Sequence, residues 1–220
     1  MVRVKLCGLR TFADAHEAAL ADADYIGFVL ASSKREVSAA LVKEIIEGLQ
    51  QEQLAKPLPL PVLVLVNRTA PDILRLTDDT GVRHVQLSGD EEPALCAELR
   101  GRGLTVWKTW RVRGTEVDRM VTEFTGQVDG LLLDSLHGGA YGGTGRPFAW
   151  PDINRLKPLL ADVPIIVAGG LTPDTVGELV ARYKPFAVDV SSGIETGNRK
   201  DPEKMRAFVS AARNCGEKMK

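Results

Sequence analysis

PIIVAGGLTPDTVGELVARYKPFAVDVSSGIETGNRKDPEKMRAFVSAAR, residues 164–213, holds the pattern that decides the fold. It opens on a short apolar run, 164–168, turns through two glycines, and enters a segment that starts Thr172-Pro173. Threonine before proline marks a helix start: the hydroxyl caps a free N–H, and proline has none to leave unpaired. A second apolar run follows at 186–190, then a loop with Ser191-Ser192-Gly193, then an amphipathic segment over 201–213. Both apolar runs have strand length and little alternation, as strands buried on two faces do. The order is strand, helix, strand, helix, joined by short links.

The same unit repeats toward the N-terminus. Apolar runs at 2–7, 25–30, 61–67, 82–87, 104–109 and 128–134 make eight strands in all, and helix-like segments at 11–21, 38–49, 69–78, 91–100, 115–124 and 150–160 separate them. Thr11 with Asp14 three residues on forms a capping box. Pro71 sits in the first turn of 69–78, where its missing N–H costs little. The segment 91–100 has acids first and Arg100 last, which suits the helix dipole. The alternation predicts a single-domain (β/α)8 TIM barrel, class α/β, over residues 1–220. The stretch QQEQLAKPLPLP (50–61) is expected to be a surface connection.

Composition narrows the partners. Hydrophobic residues make up 44% of the 220, enough for a substantial core. Lys and Arg number 28 against 29 Asp and Glu, a net charge of −1. No global field therefore favours nucleic acid or a membrane surface, and an anionic ligand must be held by local groups. Cys7, Cys96 and Cys215 form no CxxC pair and no Cys/His cluster, so no structural metal is expected. MVRVKLCGLR at the N-terminus lacks the apolar core of a signal peptide, and no apolar run approaches the roughly 20 residues of a membrane span. Reduced thiols and a cytoplasmic location are the expectation.

In such barrels chemistry sits at the C-terminal ends of the strands. Here these ends carry Lys5 and Cys7, Arg35, Gln86, Asp134, Gly169-Gly170 and Ser191-Ser192-Gly193. Glycine-rich turns after the last two strands are the usual phosphate position in this fold. A phosphate grip is expected at Gly169, Gly170, Ser191, Ser192 and Gly193, with Gly143 of YGGTG (141–145) closing over it. Taken singly, these glycines also suit plain turns. Cys7 is a capable base if a cation such as Lys5, on the same strand face, favours its thiolate. As a lone strand-end residue it is equally a small buried hydrophobe. Asp134 in a partly dry pocket can keep its proton and act as an acid, or can simply cap a loop. Gln86 either contacts substrate or ties strand ends together.

KLCGL (5–9), SKREVS (33–38), VQLSGDE (85–91), LLLDS (131–135), GGTGRPFAW (142–150), AGGLTP (168–173) and AVDVSSGIETGNRKD (187–201) together resemble the phosphoribosylanthranilate isomerase family. The motifs run in order through all eight units. The resemblance implies an Amadori rearrangement of a phosphoribosyl-anthranilate substrate, with Asp134 as general acid, Cys7 as general base and Arg35 on the anthranilate carboxylate. Lys5 and Gln86 are further candidate substrate contacts, and the resemblance implies no cofactor, no metal and a monomer or homodimer. A related isomerase of histidine biosynthesis works on a bisphosphate and needs a second phosphate grip. The loops after strands three and four offer only Asn67-Arg68 and Gly89 for that.

Overall fold

The computed structural model describes residues 1–52, 54–111, 123–134, 150–160 and 162–214. Eight parallel strands close into one barrel in chain order: β1 (Arg3–Cys7), β2 (Tyr25–Val29), β3 (Leu60–Leu65), β4 (His84–Leu87), β5 (Thr105–Arg111), β6 (Gly130–Asp134), β7 (Ile165–Ala168) and β8 (Ala187–Val190). The ring closes where β8 pairs with β1, setting Lys5 beside Asp189. Outside it lie α1 (Phe12–Leu20), α2 (Ala39–Gln51), α3 (Ala70–Thr80), α4 (Pro93–Gly101), α5 (Asp152–Leu156), α6 (Pro173–Tyr183) and α7 (Pro202–Arg213). A ribbon of two short antiparallel strands, β9 (Glu195–Thr196) and β10 (Arg199–Lys200), follows β8. Most of the helix expected over 115–124 lies outside the described residues, as do Gly143 and Cys215.

The expected helix signals act locally as anticipated. The Thr11 hydroxyl accepts the Asp14 N–H while the Asp14 carboxylate accepts the Thr11 N–H, a full capping box. At α6 the Thr172 N–H donates to Thr175 Oγ1 at 3.0 Å, with Pro173 at the first helical position. Two helices differ from expectation. The segment 150–160 is a short α-helix that tightens into a 3-10 turn at Lys157–Leu159. Pro158 explains this, since it lacks the N–H that another α-turn would use. The acids of 91–100 do not all open the helix: α4 starts at Pro93, and Glu91 stays in the loop as a buried group. Its carboxylate accepts the N–H groups of Asn67 and Gly89 and pairs with Lys108 Nζ at 3.0 Å.

Strand alternation divides the core in two. Tyr25, Val62, Trp107, Leu132, Ile166, Ala168 and Ala187 pack together inside the barrel. The other face of each strand packs under the helices, as Leu131 and Leu133 do on either side of Leu132. The continuous apolar run at β6 is thus a strand buried on both sides. Two residues beyond Leu132, Asp134 occupies the inward face at the end of β6.

The N-terminal end of the barrel is plugged by three rings. His84 meets Trp107 edge-on at 4.4 Å between centroids, and Tyr25 meets Trp107 at 4.9 Å. His84 Nε2 is buried without a hydrogen-bond partner among the described residues. Burial, and then the Lys5 ammonium, push this imidazole down to about 4. The unfolded chain therefore binds a proton below about pH 6.5 that the folded chain refuses until about pH 4. Stability should fall by up to about 3 kcal/mol across that window, at about 1.4 kcal/mol per unit. In His84→Phe this part of the acid decline should disappear, as urea unfolding midpoints at pH 7, 5.5 and 4.5 would read; an unchanged decline contradicts the assignment.

Candidate active site

The C-terminal ends of β8, β1 and β2 form a continuous polar wall. Lys5 and Cys7 share the inward face of β1. Lys5 is fully buried and donates to Asp189 Oδ1 at 2.9 Å. Cys7 pairs in register with Gly27 of β2, and both side chains crowd that glycine. Cys7 Sγ lies 2.7 Å, and Lys5 Nζ 3.0 Å, from where a Gly27 Cβ would be. Any larger residue at position 27 would wedge the thiol and the ammonium apart.

Charge at this wall is balanced by pairs. Burial alone would depress the Lys5 ammonium, but Asp189 and Cys7 raise it above its ordinary value. Burial pushes the Cys7 thiol up, against the pull of Lys5. The sequence suggested a Cys7 lowered by Lys5; burial outweighs that cation, and the nearby Asp189 carboxylate adds a smaller push in the same upward direction. Lys5, expected among the substrate contacts, lies beneath the surface of the site.

Loops after β1, β2 and β8 are stitched together above the wall. Arg35 holds Glu195 with two parallel bonds, Nε to Oε1 at 2.6 Å and Nη2 to Oε2 at 2.8 Å. Lys200 Nζ reaches the same carboxylate at 2.9 Å and the Ser191 carbonyl at 2.9 Å. Ser191 Oγ donates to the Cys7 carbonyl oxygen at 3.1 Å. Further out, Arg10 and Lys34 both bond Asn198, at the tip of the β9–β10 ribbon. Burial would raise the Glu195 carboxyl, but the bonds from Arg35 and Lys200 hold it down at about 2. The sequence reading did not single out Asp189 and Glu195, whose partners Lys5 and Arg35 lie on distant elements, or Lys200, which reaches Glu195 across the short β9–β10 ribbon.

Loops seven and eight press against each other. Gly169 and Gly170 both have positive φ, 85° and 65°, which makes the turn into α6. Gly193 follows Ser192 in a short turn of helix, and a Cβ on it would overlap the Leu171 carbonyl oxygen. One of these glycines is thus required by close approach rather than by backbone angle.

Across the mouth, Gln86 is buried and ties β4 to β5. Its Nε2 donates to Ser88 Oγ and Thr109 Oγ1, each at 3.2 Å, and the two hydroxyls bond each other at 2.9 Å. Asp134 ends β6, partly exposed on the inward face, in register with Ala168. No cluster of three or more His, Cys, Asp and Glu side chains among the described residues could hold a metal ion. A cleft of about 680 Å³ opens at the opposite, N-terminal end of the barrel, between α2 and the stretch 78–84. It is far from the strand ends that carry Cys7 and Asp134.

A base candidate and an acid candidate thus face one barrel mouth, flanked by a paired guanidinium and a glycine-rich double loop. Comparison with known proteins supplies the context. The family described as N-(5'phosphoribosyl)anthranilate (PRA) isomerase matches residues 4–211. The N-(5'-phosphoribosyl)anthranilate isomerase of Geobacillus thermodenitrificans is 39% identical over 211 residues, covering 94% of this chain and 91% of that one. The crystal structure of phosphoribosyl anthranilate isomerase from Thermotoga maritima superposes with a TM-score of 0.83 at 30% identity, covering 97% of this chain and 100% of the other. A phosphoribosyl anthranilate isomerase in complex with reduced 1-(o-carboxyphenylamino)-1-deoxyribulose 5-phosphate gives 0.82 at 29% identity, with the same coverage. No helix among the described residues is long and apolar enough to cross a membrane.

The depressed Glu195 carboxyl makes a stability statement. Its contribution is complete above the unfolded carboxylate range, roughly pH 4.3, and is lost as pH falls toward about 2. In Glu195→Gln, stability at pH 7 should drop while its further decline between pH 4.5 and 2 becomes shallower. Thermal midpoints against pH test this; a parallel decline in both proteins counts against the pairing.

Proposed function

The chain belongs to the N-(5'-phosphoribosyl)anthranilate isomerase family, and from that we propose that it is the isomerase of tryptophan biosynthesis with Cys7 as general base and Asp134 as general acid. Its reaction would be the Amadori rearrangement of N-(5'-phosphoribosyl)anthranilate to 1-(2-carboxyphenylamino)-1-deoxyribulose 5-phosphate. What carries the reading is the placement of both residues on the inward face of the same barrel end, within a family match that spans almost the whole chain.

Asp134 in its acid form gives a proton to the furanose ring oxygen. The C1′–O4′ bond breaks, and the nitrogen lone pair forms a protonated Schiff base. The Cys7 thiolate then removes the C2′ proton. The C–H electron pair becomes the C1′–C2′ double bond, and the iminium pair returns to nitrogen. The resulting enolamine becomes the ketone when C1′ gains a proton and O2′ loses one. One group that gives a proton and one that takes a proton suit this exchange, since each must be reset once per turnover.

Binding would fall to the surrounding loops. Arg35 suits the anthranilate carboxylate because its planar fork binds carboxylates in parallel pairs. Glu195 takes Nε and one hydrogen of Nη2, which leaves the end-on edge of the fork, Nη1 and the second Nη2 hydrogen, for a parallel pair to the ligand. Gly169, Gly170, Ser191, Ser192 and Gly193 would take the phosphate through backbone N–H groups and hydroxyls.

Cys7→Ser and Asp134→Asn should each lower kcat by about 10²- to 10⁴-fold, the range for losing a positioned acid or base. Circular dichroism and thermal unfolding should stay close to wild type. Near wild-type turnover in either variant would sink that assignment. Gly193→Ala must push the Leu171 carbonyl away. KM should rise about tenfold or more, a loss of about 1.4 kcal/mol or more, and inhibition by inorganic phosphate should weaken in parallel. An unmoved KM would place the phosphate elsewhere.

A further inference from the structure

Buried charges without a task in substrate contact invite a question about their purpose, and Lys5 and Asp189 are such a pair. Lys5 has no exposed surface and Asp189 almost none. They are register neighbours on β1 and β8, bonded at 2.9 Å inside the lumen, with Ala187 below Asp189 and Tyr25 beside Lys5. Two opposite charges in such a place seldom outperform well-packed apolar residues as stabilisers. Gly27 adds a second, independent observation. Its missing side chain leaves a hollow that the Cys7 thiol and the Lys5 ammonium share, at 2.7 and 3.0 Å from the missing Cβ position, both closer than van der Waals contact allows.

We propose that Lys5 and Asp189 are positioning residues for Cys7: Asp189 holds the Lys5 ammonium in the hollow left by Gly27, where it serves as the counter-charge of the thiolate during turnover. This deepens the reading of Cys7 as general base and rests on it. The groups facing Cys7 are Lys5 on its own strand, Gly27 on β2, Asp189 on β8, Arg35 from the loop after β2 and Lys200 from β10. Arg35 and Lys200 are both committed to Glu195. Lys5 is thus the cation on the same strand face as the sulfur, and it outranks the other charges in its pull. Asp189 is what keeps that cation charged and fixed. When a substrate proton arrives at sulfur, the ammonium loses one of two anionic neighbours but keeps the other, so no buried charge is stranded at either stage.

Removing Lys5 alone strands the Asp189 carboxylate and can cost the fold. The test therefore uses Lys5→Met/Asp189→Leu, which replaces the pair with apolar side chains of similar size, alongside Gly27→Ala, which keeps both charges and only wedges them apart. Folding is checked by thermal unfolding. The readout is alkylation of Cys7 by iodoacetamide against pH, followed by peptide mass spectrometry so that Cys96 and Cys215 are scored separately. In the double variant the pH of half-maximal alkylation rate should rise by about one unit or more, since the pull lost with Lys5 exceeds the push lost with Asp189. Gly27→Ala should shift it in the same direction. With kcat down about tenfold or more and KM nearly unchanged, the loss would lie in the chemical step. A folded double variant with an unshifted alkylation profile overturns the pairing. A shifted profile with unchanged kcat overturns the catalytic consequence, and Cys7→Ser then tells whether the base assignment itself has failed.

Discussion

The upper face of this barrel depends on the seam between β8 and β1. A closed sheet has no free edge, but it must join the first strand to the last, and here the join carries a buried ion pair in its inner face. Burying each charge costs several kcal/mol, which is recovered only when the partner is present in good geometry. The pair therefore demands the native register: a slip of one residue would turn Lys5 or Asp189 to the helix side and leave the other unpaired. Once the register is set, the chain after β8 can do nothing but run past Cys7. Ser191 caps its carbonyl, Glu195 arrives against Arg35, and Lys200 joins Glu195 and Ser191.

The other side of the mouth solves a similar problem in a different place. Glu91 and Lys108 form a second buried pair, but Lys108 projects from the outward face of β5, next to inward Trp107 and Thr109. There it also donates to the Gly89 carbonyl, and Glu91 gathers the backbone N–H groups of two loops. Asn67 joins this knot with a positive φ of 49°, a conformation asparagine tolerates, and accepts the Asp90 N–H. The ion pair on the β3–β5 side is thus architectural, while the pair on the β8–β1 side lies against the Cys7 thiol. Alternation along a strand decides which is which.

Much of this was legible in the residues. The eight apolar runs, the Thr11–Asp14 box and the Thr172-Pro173 start are local signals, and each acts within four residues of itself. That Lys5 and Cys7 share a face follows from a period of two. Other features were not legible, and the reason is distance. Arg35 and Glu195 are 160 residues apart in sequence, and Lys5 and Asp189 are 184 apart. Nothing near Glu195 distinguishes it from a solvated loop acid. Glu91 misled in the opposite way: its position before a helix suited the dipole, yet a buried cation and two loop N–H groups were stronger claimants. Pro158 was visible, but its effect needed the packing context to tell a tightened turn from a kink. The likeness to a known family supplied roles for Cys7, Asp134 and Arg35 that the spacing alone left open.

The seam also bears on how such a chain is made. A contact that spans 184 residues has a high entropic cost to close, and such contacts form late. During synthesis the first strand leaves the ribosome long before its last neighbour exists, and domains of this kind fold as units once their sequence is complete. Until β8 arrives, the Lys5 ammonium stays hydrated and Cys7 has no fixed electrostatic surroundings. Partial barrels would then present an ordinary solvated thiol, and its buried, charge-paired surroundings would appear only with the finished ring. Closing the ring and assembling the polar wall at its mouth would be the same event.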